Sequence, residues 1–374
     1  MFHSDSMLST ATSRRRILRG LGLLALFPAL PAGAGGPAVR LASAAMTADG
    51  RHRLALIDMS RNRRLLVALP GRAHGILALP GNRLLAVARR PGRFAAIVDS
   101  ETGEIEQTLV PAAGRHFYGH AVLSPDGRRL YTTENDFDGV RGVIGVRAAA
   151  EDWRQVAELP SHGIGPHELA LAGDDGTLIV ANGGIATHPD SGRRKLNLDS
   201  MAPNLARISP DGRLLEQGAL PARLARLSLR HIDVRADGLV AAAGQFQGEA
   251  TADTPLLTVW RPGSAPTIMP EDPATTLRMR GYCASVKFDA SGRYLAVSAP
   301  RGGLVGFWSV APARFLGHLP LADGAGVAGI GHGRFLLSSG GGTLVTAQLR
   351  DDGEPEARGR TRLPWHWDNH LTDL

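Results

Sequence analysis

The sequence predicts an all-β fold: a seven-bladed β-propeller of four-stranded antiparallel blades, closed by pairing of N- and C-terminal strands. Three observations predict it. A short strand–turn–strand unit recurs seven times. Gly and Pro are abundant, 46 and 24 of 374 residues, while aromatic residues make up only 5%. That balance suits many short strands joined by tight turns. No stretch keeps a helical period beyond a turn or two.

The clearest unit is Gly114–Asp136, GRHFYGHAVLSPDGRRLYTTEND. It reads as a strand Ala121–Leu123, a Ser-Pro-Asp-Gly turn, a second strand Arg129–Thr133 and a polar tip, Glu134-Asn135-Asp136. The turn glycine serves as a marker. Seven residues before Gly127 stands His120, before Gly81 His74, and before Gly238 His231. The same step gives Ser43, Ser285 and Gly326 in three further units, and a unit with a longer turn aligns through His167. These spacings bracket the roughly 40–50 residues of propeller blades. A six- or eight-bladed ring is the alternative.

Residues 1–34 read as an export signal. Ser13-Arg14-Arg15-Arg16-Ile17-Leu18-Arg19 is a twin-arginine motif, Leu21–Leu30 a short apolar run, and Ala32-Gly33-Ala34 fits signal-peptidase cleavage. The run is too short to span a bilayer, which needs about 20 residues. Residues 35–374 are then a single propeller domain, expected in the periplasm. The first unit offers only three strands, Leu41–Ala45, Arg53–Asp58 and Leu65–Leu69, so the tail near Ala357–Leu363 is expected to pair there and close the ring. Outer strands are expected at Val143–Arg147, Gln155–Leu159, Leu256–Trp260 and Gly303–Ser309.

The formal charge is +7, but Arg14, Arg15, Arg16 and Arg19 against Asp5 concentrate part of it in the leader. What remains is no nucleic-acid footprint. Cys283 is the only cysteine, which excludes an intramolecular disulfide and a Cys-based zinc cluster; it reads as a core residue. There is no Gly-x-Ser-x-Gly elbow, no phosphate-binding glycine loop, no His-Glu-x-x-His and no haem-attachment motif.

The unusual residues fall on one face. In a four-stranded blade the innermost strand lines the channel, and the links into it share a face with the loops between the second and third strands. Those links carry Arg72 and His74; Arg115, His116, Tyr118 and His120; His162, His167 and Glu168; and Arg230 with His231. The loops carry Glu134, Asn135 and Asp136; the long stretch from Asn182 with His188 and Asp190; Gln245; and Arg301. The opposite face has plain Asp-Gly turns.

Four histidines at one repeat position suit a metal site for copper, iron, zinc or nickel, with nearby carboxylates orienting the rings. The arginines suit an anionic ligand instead. A third reading makes each histidine a structural cap for its strand. The long loop around His188 reads as a lid over the channel, and His366, between Trp365 and Trp367, as part of a motif that rims the channel or buries the tail. Whether the four rings converge on one centre is left open.

The motifs GRHFYGH, YTTENDFD, RGVIGV, PSHGIGPHEL, VANGGIATHPDSGR, KLNLD and WDNHL together resemble a domain-of-unknown-function family of twin-arginine-exported bacterial proteins. The resemblance runs from about Arg40 to the last residues. It implies a seven-bladed propeller and the company of imelysin-like iron-uptake proteins and di-haem oxidoreductases. It brings no activity with it. The Gly-Ile-Gly-Pro-His stretch also resembles, over a short span, lactonase-type propellers. The expectation is a periplasmic binding protein for iron, copper or an anion. The alternatives are a lactonase-like or metal-assisted hydrolase at the same channel mouth, and an interaction scaffold whose arginine rim docks an acidic partner.

Overall fold

A computed structural model describes residues 40–374 apart from Arg193 and Thr251; residues 1–34, expected to be an export signal, lie outside the described residues. Seven antiparallel sheets follow one another along the chain as the blades of a β-propeller. Blades 2 to 7 each run through four strands in simple meander order. Their innermost strands are Ala73–Leu79, Arg115–Leu123, Pro166–Leu171, Leu227–Val234, Ser285–Phe288 and Gly324–Gly331. Blade 1 has only Arg40–Thr47, His52–Asp58 and Arg63–Ala68 from the start of the domain.

The ring does close through terminal strands, but not through the expected segment. Pro355–Arg362 is the outer strand of blade 7, paired with Thr343–Leu349. The closing strands lie beyond it. Trp365–Trp367 and Thr372–Asp373 both pair with Arg40–Thr47 on the edge facing away from the rest of blade 1. Trp365 and Trp367 are buried there against Ala45, Ala55 and Ile57, while His366 between them points outward and its Nδ1 meets the Gly340 carbonyl at 2.6 Å. The Trp-x-Trp alternation explains the placement: in a strand, alternate side chains face opposite sides, so two indoles go in and one imidazole out.

Blades hold together by apolar faces. Trp260 and Trp308 are fully buried in the packing around blades 4 to 6, and each indole N–H finds a carbonyl, Ser264 at 3.0 Å and Pro270 at 2.7 Å. Cys283 lies in the same core, where burial pushes its thiol up. The Asp-Gly turns need their glycines for backbone reasons: Gly127 and Gly238 have φ of +71° and +82° with open space around them, so only the absent Cβ matters. A short α-helix, Pro273–Met279, is capped by Asp272.

The innermost strands depart from regular pairing at a common place. Register shifts fall between Ala73 and Ile76, Phe117 and Ala121, Pro166 and Glu168, Leu229 and His231, and Gly324 and Val327. A bulge inserts an unpaired residue and re-aims its side chain. Here the inserted residues include His74, His120, His167 and Arg230. The strands therefore begin earlier than a strict alternation predicts. In blade 3 the strand starts at Arg115, not Ala121, and its partner runs through Asp136. Glu134, Asn135 and Asp136 are thus strand residues buried between sheets, not a loop tip.

Trp367→Ala removes one of the two indoles that fix the closing segment. It should cost about 3–5 kcal/mol, read as a lower urea midpoint with an unchanged m-value.

Candidate metal centre

The four histidines of the repeat converge. Ring centroids of His74, His120, His167 and His231 lie 4.7–6.2 Å apart. A fifth ring joins them from outside the repeat: His370, in the closing segment, sits 4.5 Å from His74, 4.6 Å from His120 and 4.8 Å from His231. Sequence reasoning missed His370, because only the fold brings the tail to the axis. His74 and His167 stand near the start of their strands. His120 and His231 lie mid-strand, where the adjacent register shifts turn them inward. The rings therefore sit within the channel, deeper than a mouth.

Glu168 stands beside two of them. Its carboxylate lies 3.5 Å from Nδ1 of His120 and 3.3 Å from Nδ1 of His231. Those pairings place the proton of each ring on Nδ1 and leave a lone pair on Nε2. Nε2 of His120, Nε2 of His231 and Nδ1 of His167 are buried and meet no hydrogen-bond partner. His370 Nε2 and His74 Nε2 pair with each other at 3.2 Å. Burial pushes the His120 imidazole down to about 3, and burial holds His167, His231 and His370 well below the ordinary value. The rings are neutral at physiological pH, which is the form that ligates.

Two overlapping donor sets result, His74-His120-His167 and His120-Glu168-His231-His370, each with donor atoms within 4.8 Å of one another. Bonds from a metal to imidazole nitrogen are about 2.0–2.1 Å, so ligand atoms must lie within about 4 Å of each other.

The cluster lies between two cavities. One, of about 320 Å³, is bordered by His74 and His167 and by Arg89, Arg90, Tyr118, His188, Lys195, Arg230, Gln245, Tyr282 and Arg301. The other, of about 430 Å³, is bordered by His120, Glu168, His370, Asp233 and Lys287. Of the residues expected to bind a ligand, Tyr118, His116, His188, Arg230, Gln245 and Arg301 border the first cavity, and Glu168 the second.

The others are placed elsewhere. Arg72 pairs with Asp368, which lies 3.5 Å from His74 Nδ1. Arg115 is spent on Asp136 and Glu158, each at 2.8 Å. Glu134, 0% exposed, accepts from Thr132 and faces Arg147 at 3.6 Å. Asn135 donates to the Thr187 carbonyl and meets His116 Nε2. Asn182 ties Ser161 to Asn204, and His162 meets the Gly212 carbonyl. Asp190 is exposed and shares His188 with Asp138. The long loop is pinned by Asn197, whose side chain binds the Ala186 N–H and the Gly184 carbonyl, and it contributes His188 and Lys195 to the wall of the first cavity.

Residues 67–374 match a single family model, described as protein of unknown function (DUF1513). No curated protein matches the chain. Among solved structures, a proposed 6-phosphogluconolactonase from Bacteroides uniformis is similar at 13% identity with a TM-score of 0.59, over 90% of this chain and 99% of that one. Hsv2 from Kluyveromyces lactis is similar at 14% identity and 0.53, over 83% and 92%. The Cps50 (Swd1) β-propeller domain of Myceliophteria thermophila is similar at 14% and 0.52, over 79% and 88%. At these identities the likeness is one of fold.

The buried rings set a pH dependence. His120 has a folded pKa of about 3 against about 6.5 unfolded. Between those values the unfolded chain binds the proton and the folded chain does not, so stability falls as pH falls through that window. The metal-free protein should lose up to about 1.4 kcal/mol per pH unit for each such ring. Urea midpoints between about pH 7.5 and 5, above most carboxylate titration, measure this, and His120→Gln should reduce the slope.

Proposed function

We propose that this chain, which belongs to the DUF1513 family, binds a transition-metal ion at the histidine cluster of its channel. The observation that carries the reading is the set of three buried, unpartnered imidazole nitrogens from three successive blades, with Glu168 holding the far nitrogens of two of the rings. A purely structural cap would satisfy those atoms. Leaving each unpaired costs about 1–3 kcal/mol, and an ion held in either donor set removes that cost at the nitrogens it takes. Neutral imidazoles suit copper, iron, zinc and nickel alike. Iron or copper is the preferred reading, on the expectation that such proteins keep the company of imelysin-like iron-uptake proteins and di-haem oxidoreductases. The twin-arginine motif supports loading before export and residence in the periplasm.

Protein matured in its native periplasm should carry about one ion per chain by elemental analysis. His120→Ala combined with His167→Ala should abolish that stoichiometry. Glu168→Gln, which keeps the shape and removes the charge, should weaken metal titration about 10–100-fold. Absence of stoichiometric metal, together with unchanged titration in the double variant, would overturn the reading.

A second reading has one observation in its favour. Glu168 stands within ligand reach of three histidines, and a histidine–carboxylate donor set with an open position is that of metal-assisted hydrolases. The metal-loaded protein assayed against lactones and phosphoesters should then show turnover that Glu168→Gln lowers. No turnover above background removes this reading.

A further inference from the structure

The first cavity has a chemistry of its own. Among the described residues, five cationic side chains border it, Arg89, Arg90, Lys195, Arg230 and Arg301, and no carboxylate does. Several other arginines near the channel or at turns are paired. Arg72, Arg115, Arg141 and Arg235 each meet a carboxylate within hydrogen-bond distance. Among the described residues, none of Arg90, Lys195, Arg230 and Arg301 forms such an ion pair. Arg301 lies instead over the Tyr282 ring, 4.3 Å from its centroid.

Arg230 is the decisive residue. It is only 8% exposed. Its Nε donates to Ser228 Oγ at 2.9 Å, and its two terminal nitrogens meet no acceptor among the described residues. It is the inserted residue of the register shift between Leu229 and His231, so the backbone spends a ladder position to aim it. A buried guanidinium without a counter-charge is costly, and gathering four more cations around it raises the cost. Water satisfies donors but not charge.

We propose that this cavity is a binding site for a small multivalent oxyanion, held by Arg230 at its base and by Arg90, Arg301 and Lys195 around it. Guanidinium groups bind carboxylate and phosphate oxygens bidentately, so the shared chemistry is a compact molecule with two or more negative oxygens. The volume, about 320 Å³, is at the small end for ligand pockets. Tyr118, Tyr282 and Gln245 supply neutral polar edges. The site does not require a metal: its parts are arginines and a lysine. It adjoins the histidines all the same, since Arg230 immediately precedes His231 in sequence and His74 and His167 border the cavity.

Calorimetric titration of the metal-free protein tests this, with citrate and inorganic phosphate as probes and trimethyl citrate as the uncharged control. One or both anions should bind, more weakly as salt rises, and the ester should not. Citrate alone identifies the carboxylate class, phosphate alone the phosphate class, and both together a site that reads charge; each supports the proposal. Arg230→Gln with Arg301→Gln should weaken binding at least about tenfold. Arg90→Gln with Arg301→Gln, on loops away from the buried base, provides the variant that keeps the fold if the first does not. His120→Ala, which disables the proposed metal centre, should leave anion binding intact, so failure of either proposal is seen apart from the other. No binding of either anion, or affinity unchanged in the arginine variants, overturns it.

Discussion

Everything about the channel depends on an interruption of regular pairing. In five of the seven innermost positions the strand slips register against its neighbour at the same height. A strict two-residue alternation would send successive side chains toward the two adjoining blades and leave few facing the axis. The slips free a residue in each strand from the ladder. Histidine occupies that place in blades 2, 3 and 4, and arginine in blade 5 with histidine next to it. A repeated backbone irregularity thus becomes a ring of inward functional groups.

The repeat itself was legible because it rests on local chemistry. A glycine with positive φ is demanded by the turn wherever the turn occurs, and counting back from it finds the same strand position each time. The fold class and the shared repeat position of four histidines follow from that count; their convergence does not, because it depends on register shifts that the count does not show. The tail was not legible in the same way. Trp365, Trp367 and His370 belong to no repeat, and nothing in Trp-His-Trp-Asp-Asn-His says which edge it completes. Only a first blade short of one strand hints at it, and Ala357–Leu363 looks equally able to fill the place until blade 7 claims it.

The polar triplet Glu134-Asn135-Asp136 misleads for an instructive reason. Acidic and amide residues are depleted in strands because a strand interior seldom satisfies them. Here long-range partners do so: Arg147 and Thr132 for Glu134, His116 and the Thr187 carbonyl for Asn135, Arg115 and Arg141 for Asp136. The pairing consumes Arg115, which otherwise looks like a ligand-binding arginine. The cationic cavity is the residue of this accounting. Arg90, Arg230 and Arg301, which meet no carboxylate among the described residues, collect with Lys195 on one side of the histidines, and no inspection of the sequence alone separates them from Arg72 or Arg115.

The closing segment has one more property. Its strands complete blade 1, Ser43 Oγ donates to the carbonyl of His370, and the imidazole of the same residue stands against three rings on the axis. The latch of the ring and a wall of the central cluster are therefore one stretch of chain. Whatever pulls the last residues away, whether a partner that grips them or a protease that cuts before Trp365, opens the annulus and dismantles the cluster in a single event. A tag or fusion appended after Leu374 hangs from that latch and loads it directly.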